Sequence, residues 1–330
     1  MSSFRAALFI LVLIGWPGVT PADEMHHGAA SGHSPIGVTG DHAHGTGEVM
    51  LGWRAMYMGM KGSRDGTSTV PTSSILDDYT IAPLSMDMEM HMLGAMYAPN
   101  DRITLMAMVP WVSKVMDLQH RTMGNFRTRA KGIGDIRLSV LRELGHGRLV
   151  SIGVSLPTGA IDRRDATPMS ESTKLPYPMQ LGSGTFDLLP SITVKHDCER
   201  YHIGAQFSGA FRLGRNSEGY SLGDRGSISF WVQRDISQEV ATSVRLIGNT
   251  WADIDGSDGD LTPSMTPTAD AGLRAGDTVD LGVGLNLLGR EGGHAGHRLA
   301  LELSLPLYRR LDGPQLETDW QITVGWQHVL

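Results

Sequence analysis

The chain has 330 residues, 41% of them hydrophobic and 19% charged, with 41 glycines and a formal net charge of −7. That balance excludes nucleic acid as a partner, since binding phosphate needs a basic surface, and the lone Cys198 excludes an internal disulfide. Beyond the N-terminus no stretch approaches the run of about 18 apolar residues that a transmembrane helix needs.

Arg5 precedes an apolar run over residues 6–14, followed by Gly15-Trp16-Pro17-Gly18 and the small-residue site Thr20-Pro21-Ala22. This is the pattern of a secretory signal peptide over residues 1–22, cleaved after Ala22. Residues 23–48 are rich in Gly, Ala and His, carrying His26, His27, His33, His42 and His44 with almost no large apolar side chain. Such a segment buries no core and is expected to be a disordered, mobile His-rich arm.

From Val49 onward, twelve segments alternate apolar and polar side chains, the period of a strand. The first sets Val49, Leu51, Trp53, Ala55 and Tyr57 against Gly52, Arg54, Met56 and Met58, and the second sets Met86, Met88, Met90 and Met92 against Asp87, Glu89 and His91. The eleventh is the clearest: Leu299, Leu301, Leu303, Leu305 and Leu307 share one face, with Ala300, Glu302, Ser304 and Pro306 between them. The twelfth sets Trp320, Ile322, Val324 and Trp326 against Asp319, Gln321 and Thr323.

The links alternate too. Those at 99–101, 145–147, 196–199, 235–237 and 290–296 are short, whereas 61–83, 116–131, 159–182, 214–223 and 252–275 are long and polar; only 309–314 breaks the pattern. Outer-membrane barrels have short periplasmic turns and long outside loops. Trp53, Tyr57, Trp111, Tyr201, Trp251, Trp320 and Trp326 fall toward segment ends, where interfacial girdles belong. Backbone in hydrocarbon must satisfy its own hydrogen bonds, so the sheet has to close. Residues 49–330 are therefore predicted to form one all-β domain, a twelve-stranded antiparallel transmembrane β-barrel of the outer-membrane type. Its surroundings would be the lipid and lipopolysaccharide of a Gram-negative outer membrane, with both mature termini periplasmic. The last eight residues, 323–330, resemble the C-terminal signal read by the barrel-assembly machinery, departing from it in ending on Leu330 rather than an aromatic residue.

Four segments carry a family resemblance: Gly132-Ile133-Gly134-Asp135-Ile136-Arg137-Leu138, Leu156-Pro157-Thr158-Gly159, Leu181-Gly182-Ser183-Gly184-Thr185 and Asp312-Gly313-Pro314-Gln315. They resemble the outer-membrane channel-like proteins grouped as "MetA-pathway of phenol degradation". The resemblance covers most of the chain after Met50. It implies a barrel for passage of small molecules, in some relatives aromatic or otherwise hydrophobic, with no catalytic residues to carry over; its Met- and His-rich variants look like proteins of metal-handling contexts.

Methionine is the unusual residue: of 18 in the chain, 11 lie between Met50 and Met108. Thioethers favour Cu(I), and imidazoles suit Cu(II) and Zn(II). Placing charged residues in the lumen puts Met56, Met58, Asp87, Glu89, His91, Met106 and Met108 on the inner wall and turns Met86, Met88, Met90 and Met92 to lipid. The inner set, fed by the His-rich arm, is a candidate copper-binding or metal-guiding patch; the competing reading makes methionine an adaptable apolar filler. The acidic stretch 253–260 lacks the closing Glu of a calcium loop and reads as solvated. No Ser and His meet on the outer wall as a lipid hydrolase would need, so an enzyme is not expected. Three functions remain open: a channel for small solutes, either hydrophobic or aromatic molecules or transition-metal ions, with the few aromatics on the lumenal faces tilting toward polar or ionic cargo; a copper-binding or metal-resistance barrel; and a structural barrel plugged by 61–83 or 159–182.

Overall fold

The computed structural model describes residues 29–198 and 201–330. The expected signal peptide, and His26 and His27 of the arm, lie outside the described residues.

Among the described residues, twelve main extended elements follow one another: β1 (Val49–Gly66), β2 (Ile81–Asn100), β3 (Ile103–His120), β4 (Gly124–Ile133), β5 (Arg137–Gly145), β6 (Arg148–Ser155), β7 (Phe186–Asp197), β8 (Tyr201–Leu213), β9 (Arg225–Asp235), β10 (Val240–Trp251), β11 (Gly276–Leu288) and β12 (His297–Val329). Eleven of them close an antiparallel ring, each paired with its neighbour and β12 returning to β1; β4 and the short strand Ser68–Val70 pair outside that path. The chain is thus a closed all-β antiparallel barrel. The expected eleventh and twelfth strands run as the single 33-residue β12, whose first half pairs with β11 and whose second half pairs with β1.

The leucine face is borne out by burial. Leu299, Leu301, Leu303, Leu305 and Leu307 are all exposed on the outside, Leu303 at 40%, whereas Glu302 between them is 1% exposed. Across the strand pair Leu301 meets Leu285, Leu303 meets Val283 and Leu305 meets Leu281, so the outside is a continuous apolar band. Hydrocarbon can solvate such a band and water cannot.

Link lengths divide the barrel into a turn end and a loop end. At the turn end, Gly145-His146-Gly147 joins β5 to β6 with all three residues at positive φ. Glycine supplies that geometry without strain, and a Cβ on Gly147 would also strike the Lys195 carbonyl. At the loop end, β1 to β3 are 18, 20 and 18 residues long, against 9 and 8 for β5 and β6. Much of what reads in the sequence as loop at 61–83 and 116–131 is strand: β1 continues to Gly66, and β3 to β4 is an extended hairpin.

Candidate functional site

The lumen is the candidate site, and two segments enter it. From the turn end comes the arm. Expected to be mobile, its residues from Ala30 to His44 instead sit largely buried inside the barrel. Hydrogen bonds from the wall hold it there, with Ile36 and Val38 buried alongside. Gln233 Nε2 and Asn286 Nδ2 donate to the His33 carbonyl at 2.9 and 3.2 Å, and Arg298 Nη2 donates to the Ser34 carbonyl at 2.6 Å. Arg54 Nη1 donates to Thr39 Oγ1 at 2.8 Å, Gln206 Nε2 to the Thr39 carbonyl at 2.9 Å, and the His44 amide to Thr104 Oγ1 at 3.1 Å. Six strands, β1, β3, β8, β9, β11 and β12, therefore hold the arm across the bore. Polar chain enters a closed space only where its donors and acceptors are met. Packing is close as well. A Cβ on Gly37 would collide with the buried Arg245–Glu302 ion pair, and one on Gly325 would lie 2.5 Å from Ile36 Cδ1.

From the loop end comes the link between β6 and β7. Leu175, Met179 and Leu181 are buried against Ile81, Met86, Val112 and Met116, with Met60, Met88 and Met90 packed alongside. Lys114 Nζ fastens this segment by donating to the Pro178 and Gln180 carbonyls at 2.7 and 2.6 Å. Outside it, Lys174 bridges Glu218 and Asp258, both at 2.7 Å, over a cluster of Tyr177, Tyr220 and Ile254. Burial alone would lower the Lys174 ammonium, but its hydrogen bonds to Asp258 and Glu218 outweigh that and hold it above its ordinary value.

Three of the segments singled out in the sequence meet at one carboxylate. Asp135 Oδ1 accepts the Gly159 amide at 2.9 Å, and Asp135 Oδ2 accepts the Ser183 amide and hydroxyl at 2.7 and 2.9 Å. Asp135 thereby anchors both feet of the inserted loop. Replacing it with Asn is expected to weaken bonds to a charged group totalling about 1.5–3 kcal/mol, enough to raise tryptic cleavage after Arg163 and Arg164 roughly ten-fold or more through the larger open population. Time courses on folded barrel check this, and an unchanged rate counts against the anchor.

The expected metal patch does not converge. Arg54 points inward to Thr39 and stands opposite Met92, so Met92, Met90, Met88 and Met86 share the lumenal face with Met56 and Met58. Met106 and Met108, as expected, line the lumen, opposite Met96 and Gly94. Asp87, Glu89 and His91 therefore face outward. His91 sits among Trp53, Tyr57 and Trp111, its Nε2 2.7 Å from Glu89 Oε1. The assumption that charge goes inside fails here because β2 rises past the hydrocarbon: its outward residues near the loop end meet water and headgroups, while the inside is filled by loop. Opposing Met92 to Arg54 across β1 and β2 is the signal that finds the correct face.

The result is a methionine face on three adjacent strands. It includes Met86, Met88 and Met90 beneath the loop and Met92, Met96, Met106 and Met108 beside the arm, where a cavity of about 60 Å³ remains next to Asp41, His42 and Arg54. The arm contributes its own cluster. His33, Asp41 and His42 each offer a donor atom within 4.8 Å of the others. Burial, then the neighbouring His42 and Arg298, holds the His33 imidazole well below its ordinary range and so neutral. His44 lies beside them, its ring 4.7 Å from that of His42 and its Nδ1 3.3 Å from Glu48.

No family model matches the sequence, and no curated protein is significantly similar to it. Solved structures do match. An outer membrane channel of the COG4313 group from Pseudomonas putida F1 is 12% identical, with 95% of this chain and all of that one covered at a TM-score of 0.59. Weaker likenesses are the translocator domain of the autotransporter NalP from Neisseria meningitidis, 11% identical over 88% of this chain and 90% of that one at 0.45, and the toluene transporter TodX from P. putida, 10% identical over 86% and 89% at 0.43. The fold is that of an outer-membrane barrel. With its apolar outer band, the chain is a protein of the Gram-negative outer membrane.

Proposed function

We propose that the barrel is a channel for small hydrophobic solutes, with the methionine face as its track and the arm as its inner gate. The observation that carries this reading is continuity: thioether side chains descend without interruption from the inserted loop to the cavity beside the arm. Methionine offers an adaptable apolar surface that fits solutes of varied shape. That the Pseudomonas putida relative in fold is an outer membrane channel supports the same reading, and the MetA-pathway resemblance implies cargo of the same class. Within it the chain crosses the membrane twelve times, each half of β12 supplying one crossing, as its two opposed registers favour. The barrel-assembly machinery would insert it by residues 323–330.

Copper is the second reading, favoured by the same thioether wall. Flux into proteoliposomes separates the two. A neutral monoaromatic solute is expected to enter faster than into empty liposomes and to slow roughly ten-fold in Met90→Glu/Met108→Glu, since charge on the track must be desolvated. The Met90→Leu/Met108→Leu pair keeps hydrophobic flux and removes soft donors. Loss of Cu(I) flux alone in that pair would favour copper, and aromatic flux equal in wild type and the glutamate pair would overturn the channel reading.

A further inference from the structure

We infer that the arm inside the lumen carries a binding site for one divalent late transition-metal ion, Zn(II) or Cu(II), held by His33, Asp41 and His42. The site borders the methionine face at the cavity beside the arm, and it does not depend on the cargo reading.

The first observation is the donor set. Two imidazole nitrogens and one carboxylate oxygen lie within 4.8 Å of one another. Donors around a tetrahedral ion with bonds near 2.0–2.1 Å are about 3.4 Å apart. Closing that difference takes rotation of two imidazoles and no movement of strand. Three protein donors with a vacant fourth position is an arrangement Zn(II) accepts.

The second is orphaned donors. His33 Nδ1 and His42 Nε2 are buried and lack a hydrogen-bond partner among the described residues. A buried polar atom left unsatisfied destabilises the fold, and the two rings stand edge to face at 4.3 Å with nothing polar supplied to either nitrogen. A metal ion on this cluster supplies the His33 nitrogen with a partner.

The third is orientation. Asp41 Oδ1 lies 3.0 Å from His42 Nδ1, and Asp41 Oδ2 accepts the Ser34 amide at 2.8 Å. An ion bound between Asp41 Oδ1 and His42 Nδ1 takes the place of the proton the two groups share, and the Ser34 amide holds the carboxylate turned toward it. Asp41 retains lone pairs with which to bind the ion itself.

Charge decides the class of ion. Arg298 donates to the Ser34 carbonyl and Arg54 to Thr39, so cationic groups flank the pocket. Ca(II) and Mg(II), held by oxygen charge, are disfavoured there, whereas Zn(II) and Cu(II) bind through nitrogen lone pairs. The consequence is mechanical. His33 and Asp41–His42 lie on two different stretches of the arm, and the ion ties them into a closed loop inside the bore.

The test uses the full mature chain in detergent, stripped with chelator and titrated with Zn(II) and Cu(II) against a chromophoric competitor. One ion per chain is expected in wild type and equally in His26→Ala/His27→Ala. His33→Ala/His42→Ala should bind at least 100-fold more weakly and Asp41→Asn between 10- and 100-fold more weakly. Heat-modifiable gel migration shows whether each variant is folded. On unmutated protein, Co(II) should give the intense visible bands of a four-coordinate site. Equal affinity in wild type and the double variant, loss on replacing His26 and His27 alone, or a six-coordinate Co(II) spectrum would each overturn the site.

Discussion

Removing residues 29–48 from the mature chain should leave a folded barrel whose single-channel conductance is higher by roughly an order of magnitude, because the arm rather than the wall closes the bore at the turn end. The wall groups that hold it, among them Gln206, Gln233, Asn286 and Arg298, are polar and would be taken over by water. Exchanging such bonds for water costs about 0.5–1.5 kcal/mol each, and the strand ladder does not depend on them. Planar-bilayer recordings measure the change. A deletion variant that stays as silent as the intact chain would show that the inserted loop, fastened by Lys114 and Asp135, suffices to seal the lumen. An intermediate result is expected for Arg298→Ala, which frees only one point on the arm.

Leu303→Arg is expected to cost the folded state about 2–4 kcal/mol, the penalty for a guanidinium on the lipid face near mid-membrane. Leu303 lies in the middle of the five outward leucines and opposite Val283, with neighbours that offer no counter-charge. One residue away the logic reverses. Glu302 is buried in the lumen with Arg245 Nε at 3.0 Å, and Glu302→Ala should cost about 3–5 kcal/mol by leaving that arginine uncompensated. Urea titration of folding into lipid vesicles reports both. If Leu303→Arg proved neutral, the leucines would not face hydrocarbon, and the membrane placement would fail with them.

The two substitutions also mark how far the sequence can be read. Strict alternation from Leu299 to Leu307 settles a facing because five leucines with Glu302 and Ser304 between them fit only one arrangement in lipid. Alternation in 86–92 is just as strict, yet it misleads, because methionine and acid each tolerate either side once the strand leaves the hydrocarbon. There the deciding information is pairwise, Arg54 opposite Met92, and belongs to two strands at once. The arm shows a different limit. Its composition correctly indicates that it cannot make an apolar core, but not that the barrel supplies polar partners from six strands. Its histidines are visible as a group in the sequence; that His33 folds back beside Asp41 and His42, while His91 stacks outside with Trp53, is a matter of tertiary position.

The seam of the barrel, where Trp53 lies across from Trp326, adjoins the point at which the arm enters, only a few residues ahead of Val49. The filling of the vessel is tethered to one lip of its own closure. Either the arm is gathered in before the first and last strands zip together, or it is drawn up afterwards from the periplasm. By either route the finished barrel carries its own stopper, joined covalently to the strand that closes it.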